Sequence, residues 1–247
     1  MTAASRARFA EVVRAEPVDI GLAALLVGAE VEPSLDVDEW LAVLDGLAAS
    51  VRSPTADGLR EVLGDFGGVA ADFEDLRSSL LPAVLRRRRG LPLLLAVVWA
   101  EVAHRCGLLA SYASRPGHVV VVLGDPEDDH VIVDPFHGGA VVTEAVRALG
   151  AHELLLRLLT NIRALTARQP RSLDAARTRL WAVELSLLVP THPLELRRER
   201  GELLVRLGSH IDGARELEAY AVLIDDVDET TAEACRQEAR QARARLN

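Results

Sequence analysis

Apolar residues recur at three- and four-residue spacing through the first fifty positions: Phe9, Val12 and Val13, then Ile20, Leu22, Leu25 and Leu26, then Trp40, Leu41, Leu44 and Leu47. That period is helical and predicts three short helices between residues 6 and 52. Pro17 and Pro33 mark the joints, and Asp36 and Asp38 place carboxylates ahead of and inside the first turn of the third. Two further helices are predicted at 57–65 and 73–89, with Gly64, Gly67 and Gly68 breaking the pattern between them. The second ends in Arg86, Arg87, Arg88 and Arg89 before Gly90. Cations complement a helix C-terminus and glycine suits the position beyond it, so the run reads as a capped, solvated helix end rather than an anion site.

Residues 91–105, LPLLLAVVWAEVAHR, are apolar almost all round as far as Glu101, which predicts a helix buried on most faces with Pro92 in its first turn. A carboxylate on such a helix needs a partner, and Arg163 and Arg179 are the candidates. The period then changes to two. HVVVVLG at 118–124 and HVIVD at 130–134 predict a hairpin across the turn-rich DPEDD, with SYAS at 111–114 as a third strand. VVT at 141–143 is placed as a return to the sheet, with Thr143 capping a helix. From 151 the chain reads as helical: 151–168, 172–189, 193–207, 210–225 and 229–246, punctuated by Pro170, Pro190, Pro193, Gly208 and DDVDE. The pair at 193–225 carries Gly201, Ala214, Leu217 and Tyr220, a small-and-large pattern like a tetratricopeptide repeat.

Composition narrows the function classes. A hydrophobic fraction of 49% against 26% charged residues in 247 positions excludes a disordered chain. No apolar run reaches the roughly 18 residues that span a bilayer. The net charge of −9 argues against nucleic acid, which needs a surplus of basic groups on one face. All 28 basic residues are Arg, so Schiff-base and P-loop lysine chemistry is excluded. The opening segment lacks the apolar core of a signal peptide, and two cysteines 129 positions apart make no disulfide framework, which together point to the cytoplasm.

One arrangement carries candidate chemistry: a buried helix entered through RGLP, a strand opening with PGH at 116–118, and a strand ending in DPFHGG at 134–139. The order resembles the papain-like and transglutaminase-like fold, in which a nucleophilic Cys begins the core helix, a His follows on the next strand, and an Asp or Asn on the strand after orients it. A closer resemblance is to the SirB-type family, a transglutaminase-like domain followed by tetratricopeptide-like helices. It is carried by IGLAALLVGAEVEPSLDVDEWLAVLDGLA at 20–48, RRRGLPLLLAVVWAEVAHRCGL at 87–108, RPGHVVVV at 115–122, VDPFHGG at 133–139, LTNIR at 159–163 and RRERGELLVRLG at 197–208. The resemblance implies His118 at the histidine position and Asp134 at the acid position.

The nucleophile is missing. Pro92 or Leu93 stands where the thiol belongs, and Cys106 is about 21 Å further along the helix, which assigns it to the core. Cys235, on the last helix, has no His partner nearby in the sequence. A hydroxyl such as Ser78, Ser79 or Ser114 is the alternative partner for a basic His118. His118, Asp134 and His137 also fit a two-His-one-carboxylate metal set, the weaker alternative to no metal at all. His104, at the opposite end of the core helix, reads as helix surface, and His130, His152, His192 and His210 offer no ligand spacing.

These readings combine into an α+β, mostly helical protein. Residues 1–52 are expected to form an N-terminal helical lobe, 53–150 a transglutaminase-like core with a small antiparallel sheet, and 151–247 a helical repeat extension. The function expected is that of a catalytically inactive relative serving as a protein-interaction or regulatory module. It would require no cofactor and engage a protein partner through the C-terminal helices, with no nucleic acid or membrane as partner. The alternative is a hydrolase or transferase of altered chemistry that uses His118 with Asp134.

Overall fold

A computed structural model describes residues 3–125, 127–169 and 171–245. Pro126, expected in the DPEDD turn, Pro170, expected to separate two helices, and Leu246, expected to end the last helix, lie outside the described residues. Two compact units divide the chain, Met1–Leu158 and Leu159–Asn247.

The first unit opens with α1 (Ala3–Val12), α2 (Ile20–Gly28), α3 (Val37–Ala49) and α4 (Ala56–Leu63). Asp19, Asp36 and Thr55 each turn a side-chain oxygen onto the free N–H groups of the helix that follows. The helix expected at 73–89 is broken. Two 3-10 turns, Ala70–Glu74 and Leu76–Ser79, precede α5 (Leu81–Arg87). The Asp72 carboxylate accepts from Val69 N at 2.8 Å and Asp75 from Arg77 N at 2.9 Å. These side chains capture backbone donors locally, and Asp75 and Leu80 are left extended. Nor does Gly90 terminate the helix: Arg88 takes the left-handed position at φ 52°, and the chain then pairs Gly67 with Arg89.

Arg86, Arg88 and Arg89 are exposed, as expected of a solvated run, but each arginine of the run also pairs with an acid. Arg86 lies over the Trp40 ring, 4.7 Å from its centre, and pairs with Glu32. Arg87 and Arg89 both reach the buried Asp72, and Arg88 reaches Asp65.

α6 (Pro92–Arg105) is buried from Pro92 through Ala103, as its unbroken apolar surface predicts. Its carboxylate, Glu101, is not met by Arg163 or Arg179. It accepts from Gly21 N at 3.1 Å, in the first turn of α2, and pairs with Arg105 one turn along its own helix. A free helix-start N–H and an i+4 cation are both at hand. Arg163 and Arg179 instead share Glu199 in the second unit.

Five antiparallel strands form one sheet in the order β4-β3-β2-β1-β5: β1 (Ala110–Arg115), β2 (His118–Gly124), β3 (His130–Asp134), β4 (Ala140–Val141) and β5 (Arg147–Ala148). β1 and β2 turn through Pro116-Gly117, with Gly117 at φ 77° where a side chain would be strained. The return strand falls at Ala140–Val141 rather than 141–143, and Thr143 caps no helix, because the chain first adds β5 beside β1. Strand alternation sorts the two faces. Ala113, Val120 and Val122 pack with Val142, Ile132 and Val146 on one side. Tyr112 belongs to the other, where it lines a hollow with Glu101 and His104 of α6.

α7 (Ala151–Ala167) contains the division between the units. In the second unit α8 (Leu173–Ser186), α9 (Glu195–Arg206), α10 (His210–Ile224) and α11 (Glu229–Ala244) pack each on the next. Ala176, Val183, Leu196 and Leu203 close the α8–α9 seam, while Ala214, Leu217, Ala239 and Ala242 close the α10–α11 seam. The Glu199 carboxylate falls below its usual range. Burial opposes its charge, but hydrogen bonds from Arg163 and Arg179 outweigh that. Among the described residues no helix is long and apolar enough to cross a membrane.

Candidate functional site

The turn between β1 and β2 sets the first two side chains. With only Pro116 and Gly117 between them, Arg115 and His118 are directly opposed in the strand register and project from the same face. β3 runs beside β2 with Val133 opposite Val121, and Asp134 follows at its end. Asp134 then caps the 3-10 turn Pro135–His137, accepting from Phe136 N at 3.0 Å through Oδ1. In a 3-10 turn side chains three apart eclipse, which brings His137 Nδ1 to 2.9 Å from Asp134 Oδ2.

The same oxygen accepts from Arg115 Nη2 at 2.7 Å. His118 Nδ1 is 3.3 Å from it but without the alignment of a hydrogen bond, and this buried nitrogen has no hydrogen-bond partner among the described residues. Asp134 and His118 are thus adjacent, while the hydrogen bonds of Asp134 go to Arg115, His137 and a backbone N–H. The two imidazoles stack with centres 5.4 Å apart and planes at 23°. The Phe136 ring meets both edge-on and fills the space beside Gly68, where a Cβ would come within 2.1 Å of it.

Burial alone would raise the Asp134 carboxyl. Hydrogen bonds from His137 and Arg115, the charge of His118 and the Phe136 N–H together hold it below the ordinary carboxylate range. Arg115 also donates to Glu144 at 3.1 Å, so a row of Glu144, Arg115 and Asp134 alternates in sign.

No nucleophile is contributed by the start of the core helix. Leu91, Pro92 and Leu93 are all buried, and none carries a polar side chain. Cys106 is not in the core as expected: it caps the far end of α6, is half-buried, and donates to Ala103 O at 3.3 Å. Cys235 is fully buried in the second unit among Tyr220, Ala221, Ile224 and Ala232, where burial pushes its thiol up. Ser78 and Ser79 are buried, with Ser78 Oγ committed to Asp72 at 3.1 Å. Ser114 pairs with Val119 and so faces away from Arg115 and His118.

Sequence reasoning missed Arg115 and Phe136. The signal for Arg115 was its place across a two-residue Pro-Gly turn from His118, and nothing local marked Phe136.

A helix-flanked antiparallel sheet with this histidine and acid on successive strands defines a class, and the sequence match agrees with it. Residues 31–182 match the profile of the transglutaminase-like superfamily, and the chain belongs to that superfamily. More particularly, it is similar to UPF0162 proteins. It is 28% identical to one from Xylella fastidiosa strain Temecula1, over 81% of this chain and 82% of the relative. To one from Xylella fastidiosa strain 9a5c it is 32% identical, over 78% and 79% respectively. A UPF0162 protein of Pseudomonas aeruginosa is 34% identical over 58% of this chain and 54% of its own length. No solved structure matches the chain significantly.

Proposed function

We propose that this chain is a SirB-type member of the superfamily that has lost thiol catalysis and acts as a protein-interaction or regulatory module, with its tetratricopeptide-like C-terminal helices as the docking surface. The observation that carries this reading is the apolar, buried start of α6, where Leu91, Pro92 and Leu93 leave nothing able to attack a carbonyl. The Asp134 cluster supports it: the carboxylate is already committed to Arg115, His137 and the Phe136 N–H, so His118 lacks the aligned acid that a general base of this fold requires. The helical pairs of the second unit suit docking, since stacked helices of this kind present their outer faces. Val222 and Val227, at the end of α10 and just beyond it, are 71% and 89% exposed.

The test is complementation of a strain lacking the gene. His118→Ala is expected to lower the melting temperature, because it removes a half-buried ring packed on Phe136 and His137, yet to support function in full. Val222→Asp with Val227→Asp is expected to leave melting unchanged and abolish function. Loss of function in His118→Ala at unchanged melting would restore the enzyme reading, with His118 as base and Asp134 as its partner.

A further inference from the structure

His118, Asp134 and His137 converge, and the approach of His118 to Asp134 is not accounted for by a hydrogen bond. Two imidazoles turn Nδ1 toward one oxygen of one buried carboxylate, at 3.3 and 2.9 Å, and the three candidate ligand atoms all lie within 4.8 Å of one another. Ligands about 2.0–2.1 Å from a tetrahedral zinc ion stand about 3.3–3.4 Å apart, so the two spacings to Asp134 are close to the edges of such a site. His118 Nδ1 supplies a second, independent observation: it is buried, aimed at the cluster, and without a hydrogen-bond partner. A buried polar atom left so is costly unless something outside the chain satisfies it.

We propose that His118 Nδ1, His137 Nδ1 and Asp134 Oδ2 bind one divalent transition-metal ion of the zinc type. Two imidazoles and a carboxylate, with no thiolate, favour a borderline cation over calcium or magnesium. The surrounding groups fit. Phe136 N and Arg115 hold the carboxylate in place, as hydrogen-bond donors do around metal-ligating carboxylates. The guanidinium of Arg115 opposes a cation, but Glu144 on its other side restores the balance, leaving Arg115, Asp134 and Glu144 with a single net negative charge. His137 is 54% exposed, so solvent reaches one side of the cluster. The set is three protein ligands. It draws on the cluster geometry and not on the loss of the thiol, so it stands or falls separately from the docking reading.

Chelator-treated full-length protein titrated with zinc by calorimetry, and with cobalt by visible absorption, is the test. Wild type is expected to bind one equivalent, with cobalt giving the intense ligand-field bands of four-coordination. His137→Ala, at an exposed position, and His118→Ala are each expected to weaken zinc by more than about tenfold. His130→Ala, an exposed histidine outside the cluster, is expected to bind as wild type does. Absence of zinc binding in wild type, or unchanged affinity in His137→Ala, would overturn the proposal.

Discussion

Gly139→Ala is expected to destabilise the first unit by about 3 kcal/mol or more, from a left-handed backbone cost of about 1–2 kcal/mol and an overpacking cost of about 1–3 kcal/mol. Gly139 follows the 3-10 turn at φ 80°, and a Cβ there would sit 2.1 Å from Trp99 Cη2, with Cζ2 and Cζ3 at 2.8 and 3.0 Å. Trp99 is fully buried in α6, and interiors are packed to a density that resists such a shift. The carbonyl of Gly139 also receives Arg60 Nη2 at 3.0 Å, which ties the turn to α4. Gly117→Ala makes the comparison sharp. Gly117 has a similar φ of 77° but open space around its Cβ, so only the backbone cost applies. Urea denaturation followed by circular dichroism reads both. Equal shifts for the two variants would show that the Trp99 contact does not hold the site turn against the core helix.

Asp134→Asn is expected to cost about 2–3 kcal/mol near neutral pH, because it leaves Arg115 and His137 without the buried charge they surround. The effect is smaller than for a fully enclosed pair, since Arg115 keeps Glu144. It also depends on pH in a fixed direction. The Asp134 carboxyl titrates below its ordinary value in the folded protein, so its contribution is fully present above the unfolded pKa of about 3.9 and is lost as pH falls through the lower folded value. The gap between wild type and Asp134→Asn, measured with chelator present, should therefore close as pH falls below about 4. A gap that persists unchanged below that pH would mean the carboxylate is not ion-paired in the folded state.

Much of the fold was legible because its elements differ in hydrophobic period. The core helix at 92–105 and the strands at 118–124 and 130–134 are long, strongly apolar and bounded by Gly or Pro, and they form where the pattern puts them. The segment at 73–89 was not legible. Its apolar spacing is helical, but Asp72 and Asp75 take backbone donors for their own side chains, a competition that hydrophobic pattern does not encode. β5 escaped because two residues pairing with Ala113 and Ser114 carry no period at all. In the candidate site, His118 and Asp134 were found from motif order, and the one-turn spacing of His137 from Asp134 was visible. The third group on the carboxylate, Arg115, depends on a cross-strand pairing that appears only once the register is fixed. Partners of buried charges were the least legible of all: Glu101 took Arg105 and a backbone N–H at α2, both closer to hand than the distant arginines expected.

The central claim is that no cysteine here is a catalytic nucleophile. It is tested most directly by the rate at which iodoacetamide modifies each thiol in the native protein, with and without His118→Ala. Cys106, at a half-buried helix end, should react faster than Cys235, which is fully buried in the second unit and should be protected. Neither rate should respond to the loss of His118. Rapid modification of either cysteine that slows in His118→Ala would place a thiolate–imidazolium pair in the protein and contradict the account.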